Sequence, residues 1–224
     1  MKKTVYDDHA NHYDAWFEKN WAIYQSELRA LKTLTSSFEK GLEIGMGTAR
    51  FAAPLGLRVG LDPSLSMIRI ATNREIDGVK GIAEQLPFKD SSHDLCLMVT
   101  VIFLLSDVKA AFKEAYRILK PGGSLIVGFV DKESRLGKRY ERQKDESTFY
   151  RVVHFFTPKE VRAEMEKAGF KDVVFVQTLF ESPEKIKAPE SPKKGHGEGS
   201  FVVARGTKAR EKSSPHDPKT HNTL

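Results

Sequence analysis

Short apolar runs, separated by stretches that read as helix, constrain this chain more than any other feature. The runs fall at 41–45, 57–61, 79–83, 95–99, 124–130, 173–176 and 200–204, with the one at 79–83 the weakest. Several lack a polar alternation, as strands covered on both faces require. Strand alternating with helix through right-handed crossovers builds an α/β fold, a doubly wound and mostly parallel sheet, here of seven strands. The stretch 181–199 carries Pro183, Pro189 and Pro192 and no long helix, so the last strand is expected to run antiparallel. Residues 1–36 read as helical, with Trp21, Tyr24, Leu28, Leu31 and Thr35 along one stripe. Asp62-Pro63-Ser64 and Asp107 mark further helix starts. Thr157 and Glu160 fit a capping box, and Gly169 fits the left-handed residue that closes that helix. The reading is one domain over 1–206, with 1–36 as a helical cap and 131–157 as a lid insertion after the fifth strand. Residues 207–224, polar and holding Pro215 and Pro218, read as a disordered tail.

Charge and cysteine content narrow the function classes. Lys and Arg number 36 against 30 Asp and Glu, for a net charge of +6. Residues 181–224 hold nine of those bases against six acids, so the remainder is only mildly basic. A nucleic-acid surface wants a concentrated basic face. The basic run 138–144 is interleaved with Glu141 and followed by Asp145 and Glu146, which reads as a solvated helix face. Cys96 is the single cysteine, which excludes an internal disulfide and a multi-cysteine metal site. No metal is expected. With no run long enough for a membrane span and no signal-peptide pattern, the expectation is a cytoplasmic protein, monomeric or homodimeric.

The chemistry concentrates at Leu42-Glu43-Ile44-Gly45-Met46-Gly47-Thr48-Ala49-Arg50, a glycine turn that follows a strand and is expected to open a helix. Glycine lets a ligand approach the backbone, and the turn lies where doubly wound sheets bind ligands. A dinucleotide site wants Gly or Ala at the sixth position of such a turn, and Arg50 stands there. An adenosyl ligand without phosphates needs only the first part. Asp62 ends the second strand, where a carboxylate either accepts from two ribose hydroxyls or caps the helix that follows.

These residues resemble the class I S-adenosylmethionine-dependent methyltransferases, in particular the small-molecule group that includes the ubiquinone and menaquinone biosynthesis enzymes. The resemblance covers about 38–130 and weakens toward 206. It rests on blocks in the family's order: the glycine turn; Val59-Gly-Leu-Asp-Pro-Ser64 with Met67; Ala83-Glu-Gln-Leu-Pro-Phe88; Asp94-Leu-Cys-Leu-Met98; and Ala115-Tyr-Arg-Ile-Leu-Lys-Pro-Gly-Gly123. It implies S-adenosylmethionine as cofactor, with Glu43, Gly45 and Gly47 around its methionine part. Asp62 would hold the ribose, beside Pro63. Ala83 and Glu84 would sit near the adenine, with Leu65 and Met67 packing on it or, for Met67, in the core. Thr100 and Val101 would flank the sulfonium. Two positions depart from the family: Ala49 stands where a third glycine is frequent, at a slight cost, and Ile82 stands where an Asp often precedes the Ala-Glu pair.

The resemblance implies methyl transfer by in-line displacement to a small-molecule amine or hydroxyl. RNA is the second choice, and a non-catalytic binding protein of the same fold the third. Substrate choice falls to segments outside the matched blocks: Tyr6, Tyr13, Trp16 and Phe17 at the start, Phe103 after the fourth strand, and Tyr150 and Phe155 in the lid. Aromatic rings there would exclude water and could hold a cation by their faces. His9 and His154 are the candidate proton acceptors, because a histidine titrates near working pH.

Overall fold

The computed structural model describes residues 5–143 and 154–210, with the side chains of Val5 and Tyr6 left aside. Among the sequence candidates, the Tyr6 side chain and all of Tyr150 lie outside the described residues. The N-terminal helical stretch is two helices, α1 (Val5–Lys19) and α2 (Trp21–Leu34). They part at Asn20, whose side-chain amide donates to the Trp16 carbonyl at 2.9 Å. Tyr24, Leu28 and Leu31 of the expected stripe are buried, while Trp21 is 53% exposed. The stripe therefore begins one turn later than its spacing suggested.

The sheet is built from β1 (Gly41–Ile44), β2 (Val59–Asp62), β3 (Asp77–Lys80), β4 (His93–Val99), β5 (Leu119–Val130), β6 (Lys171–Thr178), β7 (Lys193–Lys194) and β8 (Phe201–Thr207). Its order is β3-β2-β1-β4-β5-β8-β6-β7, eight strands where the sequence suggested seven. The addition is β7, two exposed lysines paired to the β6 edge. The first five strands are parallel, and β8 runs antiparallel to both β5 and β6, as expected from the short stretch before it. Strand β8 reaches Thr207, and the Lys208 ammonium donates to the carbonyls of Tyr116 and Leu119, so order continues past 206. Side chains alternate between the two faces. Leu95, Leu97 and Val99 pack with α2, whereas Cys96 and Met98 pack toward Phe112 and Ala115 on the other side.

The other helices are α3 (Leu65–Thr72), α4 (Val108–Ile118), α5 (Arg135–Arg142) and α6 (Pro158–Lys167). Asp107 caps α4 through the amides of Lys109 and Ala110. Thr157 and Glu160 form the capping box of α6, and Gly169 follows that helix at φ +108°. Two expectations fail nearer the site. No α-helix follows the glycine turn, only one 3₁₀ turn over Ala53–Leu55. Ala49 is left-handed at φ +61°, Pro54 has no N–H to give, and Gly56 turns the chain out at φ +81°. The second is the cap of α3, which is Ser64 and not Asp62. Both oxygens of Asp62 are already taken by backbone amides.

Candidate functional site

The chain goes β1 to β2 to β3 in one direction, then returns to place β4 on the other side of β1. This reversal opens a crevice beyond the carboxyl ends of β1 and β4, where such sheets bind ligands. The glycine turn crosses it. The amides of Gly45 and Met46 both donate to the Leu61 carbonyl, at 2.7 and 3.0 Å, which hangs the turn on β2. Gly45 is left-handed at φ +71°, and a Cβ on it would lie 2.3 Å from Val101 Cγ2. Its glycine is therefore required by the protein's own packing. Gly47, at φ +51°, donates its amide to Asp62 Oδ2 at 2.9 Å.

The two acids have different positions. Glu43 is fully buried beneath the turn and accepts from the Ala52 amide at 2.8 Å. Burial pushes its carboxyl well above the usual range, outweighing that bond. Glu43 thus braces the turn from below. Asp62 is 7% exposed, and its oxygens accept from Gly47 at 2.9 Å and Ser64 at 2.8 Å. Each carboxylate oxygen carries a second lone pair, enough for two ribose hydroxyls. Burial raises its pKa, the two backbone bonds lower it, and Asp7 nearby raises it again. Beyond Asp62, Leu65 is 47% and Ile82 40% exposed, two apolar side chains that follow the tips of β2 and β3. A flat adenine fits such chemistry. Met67 is buried in the core of its helix. Pro63 is half-buried and Ala83 buried, while Glu84 braces the start of α4, accepting from the amides of Ser106 and Asp107.

Helix α1 is fastened across the turn by ion pairs that the sequence did not reveal. Arg50 grips Asp14 with Nε and Nη2, at 2.9 and 2.8 Å, and reaches Glu18 at 2.5 Å. Arg74 joins Asp14 at 2.9 Å and donates to the Thr48 carbonyl of the turn. Ser64 Oγ donates to Asp7 at 2.7 Å. The Tyr13 ring consequently stands over Gly47, 3.3 Å from where its Cβ would be.

Beside the turn lies a cavity of about 450 Å³. Thr100 reaches it from the end of β4, held at φ +50°, a conformation that a residue with a branched side chain rarely adopts. Tyr13, Trp16 and Phe17 line it from α1, with Phe103 and Phe155 opposite. Phe103 and Phe155 lie with ring centres 5.4 Å apart, and Tyr140 of α5 lies 6.0 Å from Phe155. These expected aromatics therefore come together around one space. Val101 does not line this cavity; it packs on Gly45. The two expected histidines are elsewhere. His9 is exposed on α1, and His154 is exposed with its ring edge-on to Phe156 at 4.8 Å. The histidine on the cavity wall is His12, three residues beyond His9. Sequence reasoning also missed Glu27 of α2, a buried acid in the same wall. Its signal was present: Glu27 follows Tyr24 by three positions on the apolar stripe. Among the described residues, no group of three or more His, Cys, Asp or Glu could hold a metal ion, and no helix is long and apolar enough to cross a membrane.

A parallel sheet closed by an antiparallel strand, with a glycine turn and an acid at the tips of its first two strands, defines the class I methyltransferase architecture. Comparison with known proteins agrees. The methyltransferase domain family matches residues 42–127. A crystal structure from Thermotoga maritima, of a SAM-dependent methyltransferase described as a possible histamine N-methyltransferase, is 48% identical. It covers 91% of this chain and 98% of that one, with a TM-score of 0.89. An uncharacterised protein of Methanocaldococcus jannaschii is 42% identical over 92% of this chain and 99% of its own length. Demethylmenaquinone methyltransferase of Renibacterium salmoninarum is 33% identical over 55% of this chain and 56% of that one. The chain belongs to the S-adenosylmethionine-dependent methyltransferases, and S-adenosylmethionine is its cofactor.

Proposed function

We propose that the enzyme methylates a small-molecule amine or hydroxyl held in the aromatic cavity beside Thr100. The observation that carries this reading is the cavity itself, about 450 Å³ and lined by rings from α1, α5 and Phe155. That is the size and lining of a small-ligand site. The basic run 138–144 does not favour RNA. Within it, Arg139 is paired with Glu184 and Tyr140 faces the cavity. The names of two relatives also point to small molecules, the Thermotoga protein being described as a possible histamine N-methyltransferase and the Renibacterium protein as demethylmenaquinone methyltransferase.

When bound, S-adenosylmethionine supplies a methyl group on a sulfonium, already a good leaving group. The work left to this chain is binding and alignment, worth up to about 7–11 kcal/mol when nucleophile and methyl are well oriented. Gly45, Gly47 and Asp62 would cradle the amino-acid and sugar ends, with Glu43 bracing the turn. Leu65 and Ile82 would flank the base. Thr100 would stand where cofactor cleft and acceptor cavity meet. Tyr13, Trp16, Phe17, Phe103 and Phe155 would exclude water from the acceptor.

Incubation with methyl-labelled S-adenosylmethionine, a pool of small metabolites and total RNA tests the reading. Label is expected in the small-metabolite fraction. Label in RNA alone overturns it.

A further inference from the structure

Glu27 takes no part in the glycine turn or the ion pairs that hold α1, although few residues are less expected where it stands. It sits on the buried face of α2 and is 6% exposed. Glutamates are almost never fully buried unless paired. Among the described residues, no hydrogen bond or ion pair to its carboxylate is seen, and burial alone pushes its carboxyl up to about 8. An ionised carboxylate without a partner is costly away from water. Yet Glu27 lines a space large enough for a ligand, among the rings of Phe17, Phe103, Tyr140 and Phe155.

The other charged and titratable groups of this wall do not answer it. Arg139 on α5 and Glu184 after β6 pair with each other. His12 comes from α1, and the Tyr13 and Tyr140 hydroxyls complete the set. An anionic acceptor would meet an acid and the negative faces of aromatic rings. A neutral hydroxyl could exchange a hydrogen bond with the carboxyl but would gain nothing from the ring faces. A cation satisfies both, because ring faces attract positive charge and the carboxylate supplies the full counter-charge.

We infer that Glu27 and the surrounding rings form a receptor for the ammonium group of a small amine; that ammonium, having no lone pair, anchors the molecule, and the methyl goes to a neutral amine or hydroxyl elsewhere on it. This rests on the reading of the cavity as the acceptor site. Glu27 acts here as a binding residue. Its carboxylate pairs with the ammonium, and the proton it holds in the free protein at neutral pH is released as the pair forms.

The test uses the full chain saturated with adenosylhomocysteine. Phenethylamine and histamine are titrated calorimetrically, alongside their neutral counterparts 2-phenylethanol and imidazole-4-ethanol. At least one amine is expected to bind tenfold or more tighter than its alcohol. Repeating the titration in buffers of different ionisation heat is expected to show proton release on binding. Glu27→Gln is expected to bind adenosylhomocysteine as the native chain does, while losing both the amine preference and the proton release. If neither amine outcompetes its alcohol, or if the variant keeps the preference, the inference is overturned. Should the variant fail to fold, the native protein decides: amine binding without proton release overturns it. Failure of the native chain to bind adenosylhomocysteine would instead count against the methyltransferase reading.

Discussion

Glu27→Gln makes a stability prediction that needs no ligand. In the folded chain burial holds the Glu27 carboxyl up to about 8, against 4.5 for an ordinary glutamate. Between those values the folded protein keeps a proton that the unfolded chain has released. Stability from this group is therefore fully present below about pH 4.5 and is lost as pH rises through about 8. The slope is about 1.4 kcal/mol per pH unit, which places the loss at about 3 kcal/mol by neutral pH. Glutamine matches the protonated acid in size and neutrality but does not titrate. Urea denaturation of both proteins from about pH 4.5 to about pH 9 reads the difference directly. Glu43, Asp62 and Asp131 also have raised pKa values, but both proteins share them and they cancel in the subtraction. The variant is expected to match the native chain at the acid end, to gain on it across the window, and to level off above about pH 8. A difference that stays flat across the window would refute the claim that this carboxyl is buried without a partner.

Gly45→Ala is expected to cost about 2–4 kcal/mol in denaturation, combining a left-handed alanine with the 2.3 Å overlap on Val101 Cγ2. Adding Val101→Ala should return the steric part only, leaving the backbone part in place. Asp14→Asn should loosen α1. Burial raises the Asp14 pKa, but Arg50 and Arg74 outweigh it and hold the carboxyl down at about 2, so its contribution is full above about pH 4 and fades as pH falls through about 2. With solvent screening at this partly exposed site, the variant is expected to lose about 1–2 kcal/mol at neutral pH and to be cut faster by trypsin near Lys19. Unchanged proteolysis would mean that these ion pairs do not hold α1 in place.

What the sequence discloses depends on whether a residue's partner is near in sequence or only in space. The parallel strands were legible because β1, β4 and β5 are buried on both faces and so read as apolar runs. The box at Thr157 and Glu160 was legible because both partners lie within one turn. Strand β7 left no trace: two exposed lysines pair through backbone alone. The absent helix after the glycine turn was partly legible in Pro54 and Gly56, which interrupt it, whereas the left-handed Ala49 shows only in the fold. That His12 and not His9 lines the cavity is a matter of helical phase, which is fixed by how α1 docks and not by its own composition.

Arg50 shows the same limit from the other side. In the sequence it counted only as bulk at a position where a dinucleotide site wants a small residue. In the fold it closes an ion pair with Asp14, 36 positions away, and so seats α1 across the turn. That contact joins the two halves of the site. Tyr13, one residue before Asp14, stands over Gly47 of the glycine turn and also lines the aromatic cavity. Phe17, on the same helix, packs edge-on against Phe51 at 5.7 Å and completes that wall. A helix held by its acids to the turn thus presents its aromatics to the cavity, so any change in how the turn is held moves the rings that would face the proposed amine.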